Sequence, residues 1–138
     1  MAFLPINFES GKLVQLPMYN GGSSIAYTVG QALTITSGYY ATATAGQGTD
    51  VEAICMEAGT VSTNGTLLKC ISTRGVRFIA DTAADTIATQ VGTCVDLSSA
   101  TALDTTASAD DLFFVEKIVG SLADRTVQGF FQHGTVLA

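Results

Sequence analysis

The side chains of this chain that could do chemistry are few and lie far apart in the sequence. His133 is the only histidine, and general-base work would require an oriented partner that the sequence does not name. Cys55, Cys70 and Cys94 contain no Cys-x-x-Cys pair, and each lies in an apolar, strand-like run. We therefore expect the three cysteines to pack in the core, because neither a zinc site nor a disulfide framework is indicated by their spacing.

The acidic residues and the absence of known enzyme motifs likewise give no indication of a catalytic or metal site. Asp110 and Asp111 precede an apolar run, and Asp81 and Asp85 bracket a short segment, but neither spacing fits a calcium-binding loop, so solvated turn aspartates are the favoured interpretation. The chain lacks a Gly-x-Ser-x-Gly elbow, a P-loop, a dinucleotide-binding fingerprint and a His-Glu-x-x-His motif. We predict no catalytic residue, no cofactor and no bound metal, and hence a protein that is not an enzyme.

Composition favours a protein whose surface is partly covered by a partner. Of the 138 residues, 47% are hydrophobic and only 13% are charged, about half the charged share of an ordinary globular domain. A neutral surface of this kind indicates assembly, although a monomer with a Thr-rich β surface remains an alternative. The net charge of −6 disfavours nucleic acid, and the longest apolar run, Leu112–Val115, is too short to span a membrane.

Apolar residues in short runs between turn residues predict an all-β fold. Asn64-Gly65 and Arg74-Gly75 predict two tight hairpins, because glycine permits a positive φ. Only 81–88 and Ser121–Asp124 are compatible with short helical turns. The predicted strands are Lys12–Leu16, Ala26–Val29, Ala32–Thr36, Tyr39–Thr44, Val51–Glu57, Leu67–Ser72, Val76–Ala80, Thr93–Leu97, Leu112–Val119 and Thr126–Phe131.

The chain divides into an arm and a body. Residues 1–22 contain both prolines and predict an extended N-terminal arm and linker, and residues 23–138 predict one β domain. Within that domain, 29–57 and 91–119 share a weak repeat that opens on Val-Gly and needs a one-residue gap to align. Two related β units are one interpretation of this repeat, and coincidence in an Ala- and Thr-rich chain is the other.

The large apolar and aromatic residues are the candidates for an interface. An apolar arm is expected to pack on its own body or on a neighbour. Adjacent residues of a strand point to opposite faces, so one member of each aromatic pair, Phe113-Phe114 included, must leave the core unless both faces are covered. The candidate interface residues are Phe3, Leu4, Ile6, Phe8, Tyr39, Tyr40, Phe130 and Phe131.

In order and spacing, several of these segments together resemble the capsid cement, or decoration, proteins of tailed bacteriophages. The resemblance extends from about Lys12 over most of the chain, and it consists of β patterns without an invariant signature. The segments that carry it are Val29-Gly30-Gln31-Ala32-Leu33, Tyr39-Tyr40-Ala41-Thr42-Ala43, Val51-Glu52-Ala53-Ile54-Cys55-Met56-Glu57, Phe113-Phe114-Val115-Glu116-Lys117-Ile118 and Val127-Gln128-Gly129-Phe130-Phe131.

This resemblance implies a compact β-barrel or β-tulip-like domain of antiparallel strands that binds the outside of an expanded phage head, often as a trimer or dimer. The implied partner is the major capsid protein, and the implied location is the exterior of the virion, after synthesis in the host cytoplasm. The N-terminal arm would serve as the clamp on a capsomer or on a sister subunit. The alternatives are another β-rich virion component, such as a head-fibre base or tail-tube-like subunit, and a β-barrel that binds a small ligand or carbohydrate.

Overall fold

The computed structural model describes residues 2–6, 13–45, 49–106 and 111–133, and within them the prediction of an all-β fold is confirmed. Two single-turn 3-10 helices lie at Ala88–Gln90 and Leu122–Asp124. The strands are β1 (Leu4–Pro5), β2 (Leu13–Met18), β3 (Ile25–Tyr27), β4 (Ala32–Thr36), β5 (Tyr39–Thr42), β6 (Ala53–Cys55), β7 (Gly59–Val61), β8 (Thr66–Ser72), β9 (Phe78–Asp81), β10 (Cys94–Ser99), β11 (Ala102–Asp104), β12 (Phe113–Ile118) and β13 (Thr126–Phe131).

Five strands close into a ring, which we call the first barrel, in the order β2-β5-β4-β6-β8. All its pairings are antiparallel except the one that closes it, where β2 and β5 run parallel with Met18 opposite Tyr40. The short pair β3-β7 contributes Tyr27 and Val61 to the same buried cluster as Met18. The members of this cluster are Met18, Tyr27, Leu33, Ala53, Cys55, Val61, Leu68 and Cys70.

The other six strands form a second sheet in the order β1-β9-β13-β12-β10-β11. Thr82, directly after β9, makes a parallel bridge to Leu103 of β11, which draws the two sides of this sheet together. One face of the second sheet packs against the first barrel, because a single buried cluster includes Ile54 and Ile71 of the barrel together with Phe113 and Val127 of the sheet. The two units therefore share a core.

The ranges 29–57 and 91–119 contain the same backbone hydrogen bonds. Matching Gly30 with Gly92 and Cys55 with Val115 requires a two-residue gap. The one-residue gap predicted from the sequence would therefore misalign β6 and β12 by one position. A one-residue slip would turn every side chain of that strand to the other face. The matching bonds run from Gly30 to Cys55 and Gly92 to Val115 (both 2.7 Å), Cys55 to Gln31 and Val115 to Thr93 (both 2.9 Å), and Glu52 to Leu33 and Leu112 to Val95 (2.9 and 3.1 Å).

Both predicted hairpins are wrong as strand pairings, although each turn is present. The strand before Asn64-Gly65 pairs with β3 and the strand after it pairs with β2 and β6, so this turn crosses between sheets. Likewise, Arg74-Gly75 connects β8 of the first barrel to β9 of the second sheet. The positive φ expected of the two glycines is observed, at 93° and 73°. A local turn signal specifies a change of direction but does not specify the partner of the strand that follows.

The helical turn expected over 81–88 is also wrong, whereas the one at Ser121–Asp124 is confirmed by the 3-10 helix there. In the first segment, Ala83 donates its main-chain N–H to Leu103 and Thr86 donates to Leu122. These donors are used in contacts with other strands and turns, so they are not free for a helix.

The described part of the predicted arm belongs to the body. β1 pairs with β9, β2 is a strand of the first barrel, and Phe3 is only 1% exposed within the shared core. The main-chain N–H of Phe3 donates to Gly30 at 3.1 Å, and a Cβ built on Gly30 would lie 2.7 Å from the Cβ of Ala2. The arm is therefore not extended away from the domain over these residues, because burying Phe3 holds it on the second sheet.

Candidate interaction face

The candidate site is the solvent-facing side of the second sheet, which we call the outer face. Phe113 and Phe131 are 0% and 3% exposed and point into the core. Because successive residues of a strand point to opposite sides, Phe114 and Phe130 lie on the other side of the same strands. The outer face also carries Leu4 and Ile6 of the β1 segment, Arg77 and Ile79 at β9, and Glu116 of β12.

An aromatic stack lies at the centre of the outer face. Phe114 and Phe130 are directly opposite each other on β12 and β13, with ring centroids 5.2 Å apart and an interplanar angle of 26°. Both rings are half-buried, so each keeps part of its surface in solvent. A rigid aromatic pair with one exposed side offers apolar contact area at a small cost in conformational entropy.

One ion pair lies beside the stack. The Nε of Arg77 donates to both carboxylate oxygens of Glu116, at 2.9 and 3.1 Å, with the two side chains 48% and 23% exposed. Such an exposed pair adds little to stability, although its two charges offset each other. A partner that covered Arg77 and Glu116 would therefore desolvate a neutral ion pair.

A small open cavity of about 230 Å³ lies at the edge of the stack. Its lining residues are Gly75, Val76, Arg77, Phe130 and Phe131. This volume is below the range of roughly 300–1,000 Å³ typical of sites that enclose a small molecule. The cavity therefore suits the insertion of a single side chain from a partner better than the enclosure of a ligand.

The edge of the second sheet at β1 is apolar but poorly suited to accept another strand. Leu4 and Ile6 are each 40% exposed. Ile6 donates its N–H to Arg77 of the neighbouring strand, Phe3 donates to Gly30, and Pro5 has no N–H. Phe3, Pro5 and Ile6 therefore offer no free main-chain N–H, so this edge is short of donors for strand addition.

The structure separates seven of the eight predicted interface residues into three groups. Leu4, Ile6 and Phe130 lie together on the outer face, as described above. Phe3 and Phe131 are core residues, so placing them at an outer interface was wrong: their rings pack on each other at 5.0 Å, and Phe131 lies 5.0 Å from Phe113 and 5.5 Å from Phe78.

Tyr39 and Tyr40 lie elsewhere, on β5 of the first barrel. Both are half-buried, and Tyr40 packs against the cluster inside that barrel. Phe8 falls outside the described residues. Phe114 was missing from the predicted set, although the alternation argument that puts one phenylalanine of Phe113-Phe114 outside the core applies to it directly.

His133 has a structural environment. Its Nε2 is 2.7 Å from the Oγ1 of Thr73 and 3.2 Å from the main-chain oxygen of Val51, and the Thr73 hydroxyl donates to that same oxygen at 2.7 Å. An Nε2–H that donates to both oxygens satisfies this geometry. The imidazole thus connects the end of β13 to the first barrel, and none of the contacts found for it within the described residues is to an acidic side chain that would orient it as a general base.

The cysteines differ in burial. Cys55 and Cys70 are buried in the first barrel, as expected, but Cys94 is half-buried on β10 directly opposite Phe114, which corrects its assignment to the core. Burial, followed by the charge of Asp111, raises the pKa of the Cys94 thiol. Among the residues described, no group of three or more His, Cys, Asp or Glu side chains is placed to hold a metal ion.

No helix in the described part of the chain has the length and apolar character needed to cross a membrane. The chain matches no protein-family model, no curated protein and no solved structure. Arguments about function therefore rest on the residues and geometry given above.

Proposed function

We propose that this protein is a structural virion subunit that binds the outer surface of a phage capsid and stabilises the expanded shell by clamping adjacent capsomers. The observation that carries the proposal is the outer face, on which the Phe114–Phe130 stack lies on the same side of the sheet as the exposed Leu4 and Ile6. Aromatic side chains that are partly exposed and flanked by apolar residues are frequent anchors of protein interfaces.

The charge balance also supports docking on protein. The chain has only six cations against twelve acidic residues, and the arginine at the outer face is paired with Glu116. A cement subunit of this kind would not compete for free nucleic acid. Each copy would bury a modest interface as a trimer or dimer, and many copies on one shell would hold capsomers together by avidity.

The proposed clamp is the outer face and not a free arm. Strand addition would draw on unused main-chain donors, and Phe3, Pro5 and Ile6 supply none. Side-chain contacts from Leu4 and Ile6 would instead extend the aromatic stack along the sheet.

The proposal is tested by binding to expanded and unexpanded heads of the virus that encodes the chain, with wild-type protein and the double variant F114A/F130A. We expect wild-type protein to bind expanded heads preferentially and the double variant to lose affinity by at least about tenfold, since interface aromatics are frequent hot spots. Leu67→Ala is the matched control, because Leu67 is 52% exposed on β8 of the first barrel. Circular dichroism establishes that the variants fold.

A wild-type protein that binds neither expanded nor unexpanded heads would contradict the capsid role. If it bound instead to tail or fibre components of the same virus, another virion role would be favoured. Equal loss of binding in Leu67→Ala and F114A/F130A would rule out the outer face as the docking surface.

A further inference from the structure

Cys55 and Cys70 are directly opposite each other on the neighbouring antiparallel strands β6 and β8. Met56 donates its main-chain N–H to Lys69 at 2.9 Å, and Thr73 donates to Glu52 at 3.2 Å. These bonds identify 56/69 and 52/73 as hydrogen-bonded pairs. Since the two kinds of pair alternate along an antiparallel ladder, Cys55 and Cys70 form a non-hydrogen-bonded pair, whose Cα atoms are about 4.5 Å apart.

This separation falls within the range of about 4.4–6.8 Å that a disulfide spans. Directly opposite residues share a face of the sheet, and both thiols point into the first barrel, where each residue is 0% exposed. Each thiol hydrogen-bonds a nearby main-chain oxygen, Cys55 that of Glu57 at 3.1 Å and Cys70 that of Leu68 at 3.6 Å. The neighbouring Cys70 side chain lowers the pKa of Cys55 to about 7, and Cys55 together with burial raises that of Cys70. The two side chains therefore already lie side by side in the reduced protein.

We propose that Cys55 and Cys70 form an oxidation site, and that a peroxide converts them into a cross-strand disulfide inside the first barrel. The Cys55 thiolate attacks one oxygen of hydrogen peroxide and the O–O bond breaks, so that Cys55 becomes a sulfenic acid. The departing hydroxide takes up the proton that the Cys55 thiol released and leaves as water. The sulfur of Cys70 then attacks the sulfur of Cys55, and the S–O bond breaks. The departing oxygen leaves as water with the proton of Cys70, and the two thiols have together reduced one peroxide to two waters.

The bond would fasten β6 to β8 across the intervening Met56–Lys69 segment. A disulfide restricts the unfolded chain, and the reduced geometry given above requires little movement of the folded one. Under the proposed function the protein leaves the reducing cytoplasm of a host, and oxidation would then add stability after assembly. The site itself belongs to the isolated chain and does not depend on a capsid.

The test uses Cys94→Ser protein, because Cys94 is only half-buried and could otherwise link two chains. Reduced protein is treated with hydrogen peroxide and analysed by mass spectrometry without reductant. We expect the loss of two hydrogens, and after trypsin the peptide ending at Lys69 should stay joined to the peptide 70–74. The melting temperature should rise by roughly 5–10 °C and return with reductant. C55S/C94S and C70S/C94S should show neither change.

Because both thiols are buried, a second experiment tests disulfide formation without requiring an oxidant to reach them in the folded protein. The denatured, reduced Cys94→Ser protein is refolded in a glutathione redox buffer that is progressively more oxidising. The intramolecular bond should form as the fold is regained. Folded protein that keeps both thiols free across the whole redox series, or that carries only glutathione adducts or added oxygen, would overturn the proposal and leave the capsid hypothesis unaffected.

Discussion

Single polar side chains that could do chemistry are used here to hold strands in place. His133 connects the end of β13 to Thr73 and to the main chain at Val51. The hydroxyl of Tyr27, which is 1% exposed, donates to the main-chain oxygen of Tyr19 at 2.5 Å. A buried polar group is tolerated because it finds a partner, so the stability of the fold depends on these bonds.

His133→Ala should destabilise the protein by about 1–2 kcal/mol, because the hydroxyl of Thr73 and the oxygen of Val51 lose a shared donor. Urea denaturation followed by circular dichroism measures the change. Gln132→Ala is the control, since the main-chain N–H of Gln132 makes its bond to Leu112 and survives the substitution. Equal stability of His133→Ala and wild type would mean that the imidazole bond is not formed in solution.

Tyr27 should make the protein sensitive to alkaline pH. Burial, followed by the nearby Cys55 and Tyr19, raises the pKa of the Tyr27 phenol above its ordinary value. The folded state therefore keeps a proton that the unfolded state loses near pH 10, so this contribution to stability is complete below about pH 10 and is lost as the pH rises through the folded pKa.

Tyr27→Phe separates this effect from the other tyrosines. At neutral pH it should cost about 1 kcal/mol, since its hydrogen bond to Tyr19 is absent. Between about pH 9 and 11 its free energy of unfolding should fall less than that of wild type, as measured by urea denaturation at each pH. If the free energies of unfolding of the two proteins changed with pH in parallel, Tyr27 would have an ordinary pKa in the folded state.

Among the elements, β1 has the least backbone pairing and depends on one side chain. It is two residues long and pairs only with β9, but Phe3 beside it packs on Phe131 with ring centroids 5.0 Å apart. The element therefore stays on the sheet because a phenylalanine is buried in the shared core. Deleting residues 2–8 would remove this core residue, so the deletion cannot test a clamp without also damaging the fold.

Phe3→Ala should destabilise the protein by about 3–5 kcal/mol, the usual cost of removing a fully buried phenylalanine ring. Leu4→Ala is the control one position along the same strand, and it should cost less than about 1 kcal/mol because Leu4 is 40% exposed. Thermal melting of both variants gives the comparison. Similar losses of stability in the two variants would show that Phe3 does not point into the core while Leu4 points into solvent.

For the whole molecule, an acidic chain with few charged residues predicts self-association that responds to salt. Copies with a net charge of −6 repel one another, and that repulsion is screened as ionic strength rises, whereas apolar contact is not weakened. We expect light scattering after size exclusion to show trimers or dimers that dissociate less at about 500 mM than at about 50 mM NaCl. A salt-independent monomer would contradict this prediction.

Much of the local structure can be read from the sequence. The strands β4, β12 and β13 were predicted within a residue or so at each end, because their apolar runs are bounded by turn residues. The short strands β1, β7 and β11 were missed, since two or three residues carry no periodicity. Part of the face also follows from the sequence, because Leu4, Ile6 and Phe130 are among the predicted interface residues and Phe114 follows from the same alternation.

By itself, the sequence determined the all-β class, the positions of the glycine turns and the rule that one phenylalanine of each pair leaves the core, because all three depend on neighbours along the chain. Only the tertiary structure decided that Arg74-Gly75 passes between sheets, that Phe3 is buried, and that Phe114 and Phe130 stack on one face with Leu4. Strand partners are chosen by closing a barrel and sharing a core, which are long-range events that no turn or local pattern encodes.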